Sequence, residues 1–261
     1  MENPWIAALA ALVLWWLSTG LILLRVRQAD NAGGDQHLWS CILTAPVPVA
    51  GVVTAHATAD ASTAQAAFSG FVAALAIWGW IELAFLSGLI TGPNRRPCPP
   101  GARGWNRFVN GFLTLAWHEA ALLAGLVVLG ILVAEAENPF AFWTYAVLFF
   151  ARISAKLNLF LGVPRINTEF LPRTLSHLAS HFRRAPINGF FPVSITVLSF
   201  AVACWLERLS MAATPAQTTG FALLFALTLL ALLEHWFMVL PLPDQKLWRW
   251  MLPAPKPMTK D

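Results

Sequence analysis

The chain has 261 residues, of which 57% are hydrophobic and only 11% charged, and a formal net charge of +4. Soluble domains carry roughly 25% charged residues, so this composition cannot cover a water-facing surface and excludes an ordinary soluble fold. The basic excess comes without a basic stripe of interleaved stacking aromatics, which argues against nucleic acid as a partner.

A helix needs about 20 apolar residues to cross a hydrocarbon core of about 30 Å. In chain order, such stretches are read at 4–24, 38–58, 66–90, 109–133, 141–160, 190–206 and 218–240. The fold class is therefore all-α, a polytopic membrane protein with one integral domain of about seven transmembrane helices. The first stretch is too long for a cleavable signal peptide and lacks its basic leader, so it reads as a retained span. Pro46 and Pro48 interrupt the second; proline is tolerated in a membrane helix where neighbours satisfy the freed carbonyls. The fifth carries charges and the sixth is short. The segment 91–107, rich in Pro, Gly and Arg, reads as irregular. The loop 162–189 is predicted to hold a short helix from about Pro172 to Arg184, with proline in its first turn. Leu171, Leu175, Leu178 and Phe182 then share one face, and Arg173, His177, His181 and Arg184 another. That pattern suits a helix on the cytoplasmic leaflet or a partner surface.

Orientation follows from the basic residues. Arg25, Arg27, Arg95, Arg96, Arg103, Arg107, Arg165, Arg173, Arg183 and Arg184 fall after the first, third and fifth stretches, and Lys246, Arg249, Lys256 and Lys260 in the tail. The opposite loops hold only Arg208, beside Asp60, Glu135, Glu137 and Glu207. The positive-inside rule then puts the amino terminus outside and the carboxyl terminus in the cytoplasm, across a bacterial inner membrane. Trp5, Trp39, Trp105, Trp143, Trp205, Trp248 and Trp250 fall near predicted helix ends, as an interfacial belt requires. Cys41, Cys98 and Cys204 are scattered, which argues against a disulfide framework or a cysteine-rich zinc site. His37 and His56 lie near loops and read as surface residues. No nucleotide-binding glycine loop is present, and the seventh stretch has no lysine for a retinal Schiff base.

Ionisable residues inside a span cost about 2.5–3.5 kcal/mol each, and several occur here: Glu82, His118, Glu119, Arg152, Lys156, Glu234 and His235, with the polar Asn158. Given the orientation, four helices bring these groups to the cytoplasmic half or the midplane. Three readings stay open. The groups can neutralise one another, with Lys156 snorkelling to the headgroups. They can line a ligand pocket, in which His118 or His235, next to Trp117 and Trp236, would ligate the metal of a tetrapyrrole, with Trp78 one turn before Glu82. Or Glu82, His118, Glu119, Glu234 and His235 can supply an iron or zinc centre; His118, Glu119 and His235 are the first metal candidates. The HxxxH pair His177 and His181 sits among arginines, which disfavour a cation. No residue set defines a reaction.

The strings GWIELAFLSGLITGP (79–93), WHE (117–119), RISAKLNLFLGVP (152–164) and FFP (190–192) resemble the PuhE family of photosynthetic complex assembly proteins in purple phototrophic bacteria. The resemblance covers nearly the whole chain, and the charged, asparagine-containing fifth-span string is its most specific element. It implies a role in building the reaction centre and core light-harvesting complex, with those polypeptides as partners, and a link to the supply of bacteriochlorophyll. On this reading the polar layer binds bacteriochlorophyll or a precursor; a membrane metalloenzyme and a non-catalytic scaffold are the alternatives.

Overall fold

The structure is a computed structural model that describes residues 3–168 and 171–241. Lys246, Arg249, Lys256, Lys260, Trp248 and Trp250, which enter the charge and tryptophan arguments above, lie outside the described residues. The described chain is all-helical: α1 (Pro4–Ala32), α2 (Gln36–Thr44), α3 (Pro46–Ala57), α4 (Ala64–Leu86), α5 (Gly104–Phe112), α6 (Ala116–Leu132), α7 (Phe140–Leu161), a 3₁₀ segment (Arg173–His181), α8 (Phe190–Ser210) and α9 (Pro215–Phe237). Six units are long and apolar enough to cross a membrane, α2 and α3 counting together, and a seventh is reached if the bent pair α5–α6 is one span.

α4 and α9 are the inner helices and bury far more of their length than α1 or α8. Small residues allow this. Ala7 and Ala11 of α1 pack with Ala222, Leu223 and Ala226 of α9 and with Phe71 and Leu75 of α4. A second core joins α4 to α6 and α7 through Ala74, Ile77, Leu122, Leu129 and Tyr145. The outer faces are apolar, with Ile131 and Phe200 about as exposed as Trp105, as helices solvated by lipid require.

The two interrupted spans have identifiable causes. At the α2–α3 junction the Ala45 N–H turns to the Ile42 carbonyl, which frees the Cys41 carbonyl. The Trp80 indole of α4 donates to it at 3.1 Å, so a neighbouring helix supplies the missing bond. The fourth predicted span, 109–133, is not one straight helix. It breaks at 113–115, with α5 and α6 bent by 66°. The α4–α5 loop plugs the break. The Trp117 and His118 N–H groups donate to the Thr91 carbonyl at 2.9 and 3.0 Å, and the Asn94 N–H donates to the Leu113 carbonyl. Gly92 lies so close to the Leu113 carbonyl that a Cβ there would overlap it. Helix α5 also begins inside the stretch read as irregular.

Loops sort to the two ends. At one end Asn138 bonds the Thr58 and Ala59 carbonyls, tying the α6–α7 loop to the end of α3. At the other, Asp30 accepts from the Arg173 N–H, Thr174 donates to the Leu86 carbonyl at 2.7 Å, and the Cys98 N–H donates to Ser180 at 2.8 Å. The arginine-rich segments 91–107 and 162–189 therefore share one end with the termini of α1, α4 and α7. The short helix read over about 172–184 is a shorter 3₁₀ segment with a non-helical Leu175. Leu175 and Leu178 are buried against Phe85. His181 is buried too, not on the solvated face with Arg173 and Arg184. His37, read as a surface residue, is half-buried at 3.0 Å from Asp30.

A candidate polar site inside the bundle

Two ion pairs form the centre of the polar layer. Glu82, four residues before the end of α4, accepts from the Arg152 guanidinium of α7 at 2.9 Å. One turn further along α7, Lys156 pairs with Glu119 of α6. The i, i+4 spacing puts both α7 cations on one helix face, turned toward carboxylates from two different neighbours. Lys156 also stands 5.5 Å from the centre of the Phe85 ring.

His118 sits between these pairs, fully buried. Its ring stacks on Phe85 at 4.1 Å, with 29° between planes, and its Nε2 lies 3.7 Å from Glu82 Oε1. Neither ring nitrogen has a hydrogen-bond partner among the described residues, and the same holds for Glu82 Oε1, Arg152 Nε and the Tyr145 hydroxyl. His235 is the opposite case. Its Nδ1 meets the Ala231 carbonyl at 2.8 Å and its Nε2 meets the Ser154 hydroxyl at 2.9 Å. A carbonyl only accepts, so Nδ1 carries the proton and Nε2 accepts from Ser154. Asn158 serves as a joint. Its amide donates to Ser194 of α8 and to the Ser154 carbonyl, and its oxygen accepts from Asn188. Asn188 in turn caps α8 by accepting from the Phe190 and Phe191 N–H groups.

Beside the Glu82–Arg152 pair lies a cavity of about 390 Å³ between α1, α4, α7 and α9, with Asn167 and Leu171 at one side. Leu75, Ile22, Leu148 and Leu227 make its walls apolar; Trp15, Trp78, Ser18 and Thr19 also line it. Glu82, Arg152 and Glu234 all face it. Glu234 makes no ion pair with any described residue; Arg152, which lines the same cavity, acts on it through space.

Of the residues singled out from sequence, Glu82, Arg152 and Glu234 come together on this cavity. His118, Glu119 and Lys156 form a second group around Phe85, while His235 and Asn158 are engaged in helix packing. Trp117 is 61% exposed on the outer face and Trp236 packs edge-on against Phe191; neither flanks the cavity. Among the described residues no three His, Cys, Asp or Glu side chains converge to hold a metal ion, so the candidates His118, Glu119 and His235 are not gathered as ligands. Phe85, Ser154, Thr91 and Trp15 escape a reading from sequence because nothing in their local context distinguishes them. Asn188, just ahead of an apolar run, is a legible helix cap.

Outside the spans, His177 of the 3₁₀ segment is held below the ordinary histidine value of 6.5 by burial first, then by His181 and Arg95.

The fold and this layer define a multi-spanning α-helical membrane protein with an ion-paired interior and a partly polar cavity toward one end of the bundle. Within that class the chain belongs to the family described as a protein of unknown function, DUF3623, whose model matches residues 1–259. It is 56% identical over 254 residues to an uncharacterized 30.4 kDa protein in the puhA 5′ region of Rhodobacter capsulatus, covering 97% of this chain and 93% of that relative. No solved structure matches the chain.

Proposed function

We propose that this chain is a membrane-embedded factor for assembling the photosynthetic reaction centre and its core light-harvesting complex. In this reading it handles bacteriochlorophyll or a precursor in the cavity of Glu82, Arg152 and Glu234. The observation that carries the physiological half is the relative's location in the puhA 5′ region. The sequence strings that resemble the PuhE family point the same way.

The cavity supports the ligand half. A charged side chain at the centre of a span costs about 2.5–3.5 kcal/mol; Glu234 lies three residues from the end of α9, and a bound group that neutralises it recovers part of such a cost. Carboxylate oxygen suits the hard magnesium ion, and Trp15 and Trp78 offer flat faces beside it. Arg152, fixed through Glu82, is positioned to donate to a carbonyl or ester of the same molecule. At about 390 Å³ the cavity is at the small end of ligand sites, about 300–1,000 Å³, and takes one edge of a tetrapyrrole rather than all of it. Neither His118 nor His235 lines it, so Glu234 replaces them as the proposed anchor.

Purification from pigment-producing cells tests this. Tetrapyrrole absorbance should accompany the wild-type chain, fall strongly in Glu234→Gln, and persist in Ser154→Ala, which perturbs only the His235 contact. A wild-type preparation free of tetrapyrrole would sink the ligand half. A non-catalytic scaffold is the second reading, favoured by the mutual pairing of Glu82 with Arg152 and Glu119 with Lys156. Deletion in the native host separates the two: normal pigment with missing complexes supports the scaffold, and altered pigment levels support pigment handling.

A further inference from the structure

Helix α5 has features that the interior cavity does not use. It is nine residues long, GWNRFVNGF, and the 66° bend at 113–115 carries it away from the axis of α6. Its aromatic residues form a continuous ladder. Trp105 stacks on Phe108 at 5.1 Å, Phe108 on Phe112 at 6.3 Å, and Phe108 meets Phe160 of α7 edge-on at 5.9 Å. The outer members are open: Trp105 is 73% exposed and Phe112 47%.

Arg107 pins this helix to the bundle. Its guanidinium donates to the Phe160 and His181 carbonyls, both at 2.8 Å, and stands 4.0 Å over the Phe160 ring. It is therefore spent on anchoring. Around it lie three arginines that are exposed. Arg96 is joined to His181 through its carbonyl, Arg103 accepts the Arg107 N–H, and Arg183 follows His181 by two residues. The side chains of Arg96, Arg103 and Arg183 have no partner among the described residues. Residues 91–112 and 171–206 contain no Asp or Glu, so the described parts of the two loops that build this face supply no carboxylate to pair with them.

A cluster of guanidiniums without a partner among the described residues, beside an aromatic ladder ending in the exposed Trp105, matches the two parts of an anionic lipid: headgroup phosphate, and the glycerol region where indoles rest. We propose that α5 lies in the membrane–water interface and that Arg96, Arg103 and Arg183 form a binding patch for anionic phospholipid headgroups, with Trp105 inserted beside them. This patch is separate from the cavity, and its fate in a test is independent of the pigment reading.

The full-length chain is reconstituted in phosphatidylcholine bilayers with a minority of phosphatidylglycerol, one lipid at a time carrying bromines close to its headgroup. The Trp105 signal is the fluorescence difference between the wild type and Trp105→Phe. Brominated phosphatidylglycerol should quench it as though enriched about fivefold around Trp105, the effect of one fully engaged basic residue, and added salt should erode the preference. The triple variant Arg96→Gln, Arg103→Gln, Arg183→Gln should quench equally with both lipids while Trp105 remains within reach of either. Equal quenching by the two lipids in the wild type would overturn the patch. No quenching by either would overturn the interfacial placement of α5.

Discussion

The Lys156–Glu119 pair shows how the polar residues of this bundle depend on one another. Both side chains are less than one-fifth exposed, so removing one leaves the other charge largely buried and without its ion-pair partner. Glu119→Leu alone is expected to cost about 3–5 kcal/mol, whereas the double variant Glu119→Leu, Lys156→Met should lose much less than the sum of the two single changes. Thermal unfolding midpoints in detergent measure the cycle; additive losses would count against the pairing. At the membrane surface, His177 should titrate below 6.5 by proton NMR. Arg95→Gln removes a nearby positive charge, so the midpoint should move upward, toward the ordinary value. The residue types of the interior layer were legible in the sequence because ionisable groups inside an apolar run are costly. Their pairing was not. Which carboxylate Arg152 meets depends on the rotation of α4 and α7 about their axes, and one-dimensional order does not contain that angle. The same applies to the histidines: His118 and His235 look alike in sequence, but one is an unpartnered ring stacked on Phe85 and the other is bonded through both nitrogens.

Elements behave differently according to where their breaks originate. The α2–α3 interruption is written in Pro46 and Pro48, whose missing N–H groups interrupt the helical ladder. The α5–α6 break carries no such mark, since Leu113, Thr114 and Leu115 all suit a membrane helix. It is imposed from outside, by the Thr91 carbonyl on the first amides of α6 and by the close passage of Gly92. Gly92→Ala places a methyl against backbone that has no room to yield, and should destabilise by about 1–3 kcal/mol. A thermal midpoint indistinguishable from wild type would show that the plug is not needed to hold the bend. Trp80→Phe removes the donor to the Cys41 carbonyl and should cost about 0.5–1.5 kcal/mol, a smaller loss in the same assay. The surface segment 172–184 was legible as a local element from its proline and its leucine spacing. Its 3₁₀ form and the burial of His181 follow from its seat over Phe85 and Arg107, which local periodicity does not report.

For the whole molecule, the sorting of loops to two ends is the feature that sequence and structure both address, in different ways. Contacts among segments 91–107 and 162–189 and the end of α1 gather the arginines at one end of the bundle. That this end faces the cytoplasm is the expectation from the basic residues, and Cys98 offers a native probe of it. Cys41 is buried and Cys204, though exposed, sits within the apolar helix α8, whereas the half-buried Cys98 lies in the arginine-rich loop. A membrane-impermeant maleimide should label Cys98 in inverted membrane vesicles and spare it in intact spheroplasts. The reverse pattern would turn the protein over.

By itself the sequence determined that this is a multi-span helical membrane protein, because a chain with so few charges has no other solvent than lipid. It also determined which residues are energetically exceptional, because burying a charge is costly wherever the helix lies. Only the tertiary structure decided that Glu82, Arg152 and Glu234 share a cavity while His118, Glu119 and Lys156 gather around Phe85. It alone decided that the fourth predicted span is broken and its first part swung aside. Those outcomes depend on helix rotation, on close approach of small residues, and on one carbonyl from a distant loop. All of these are long-range geometric facts, and local composition does not encode them.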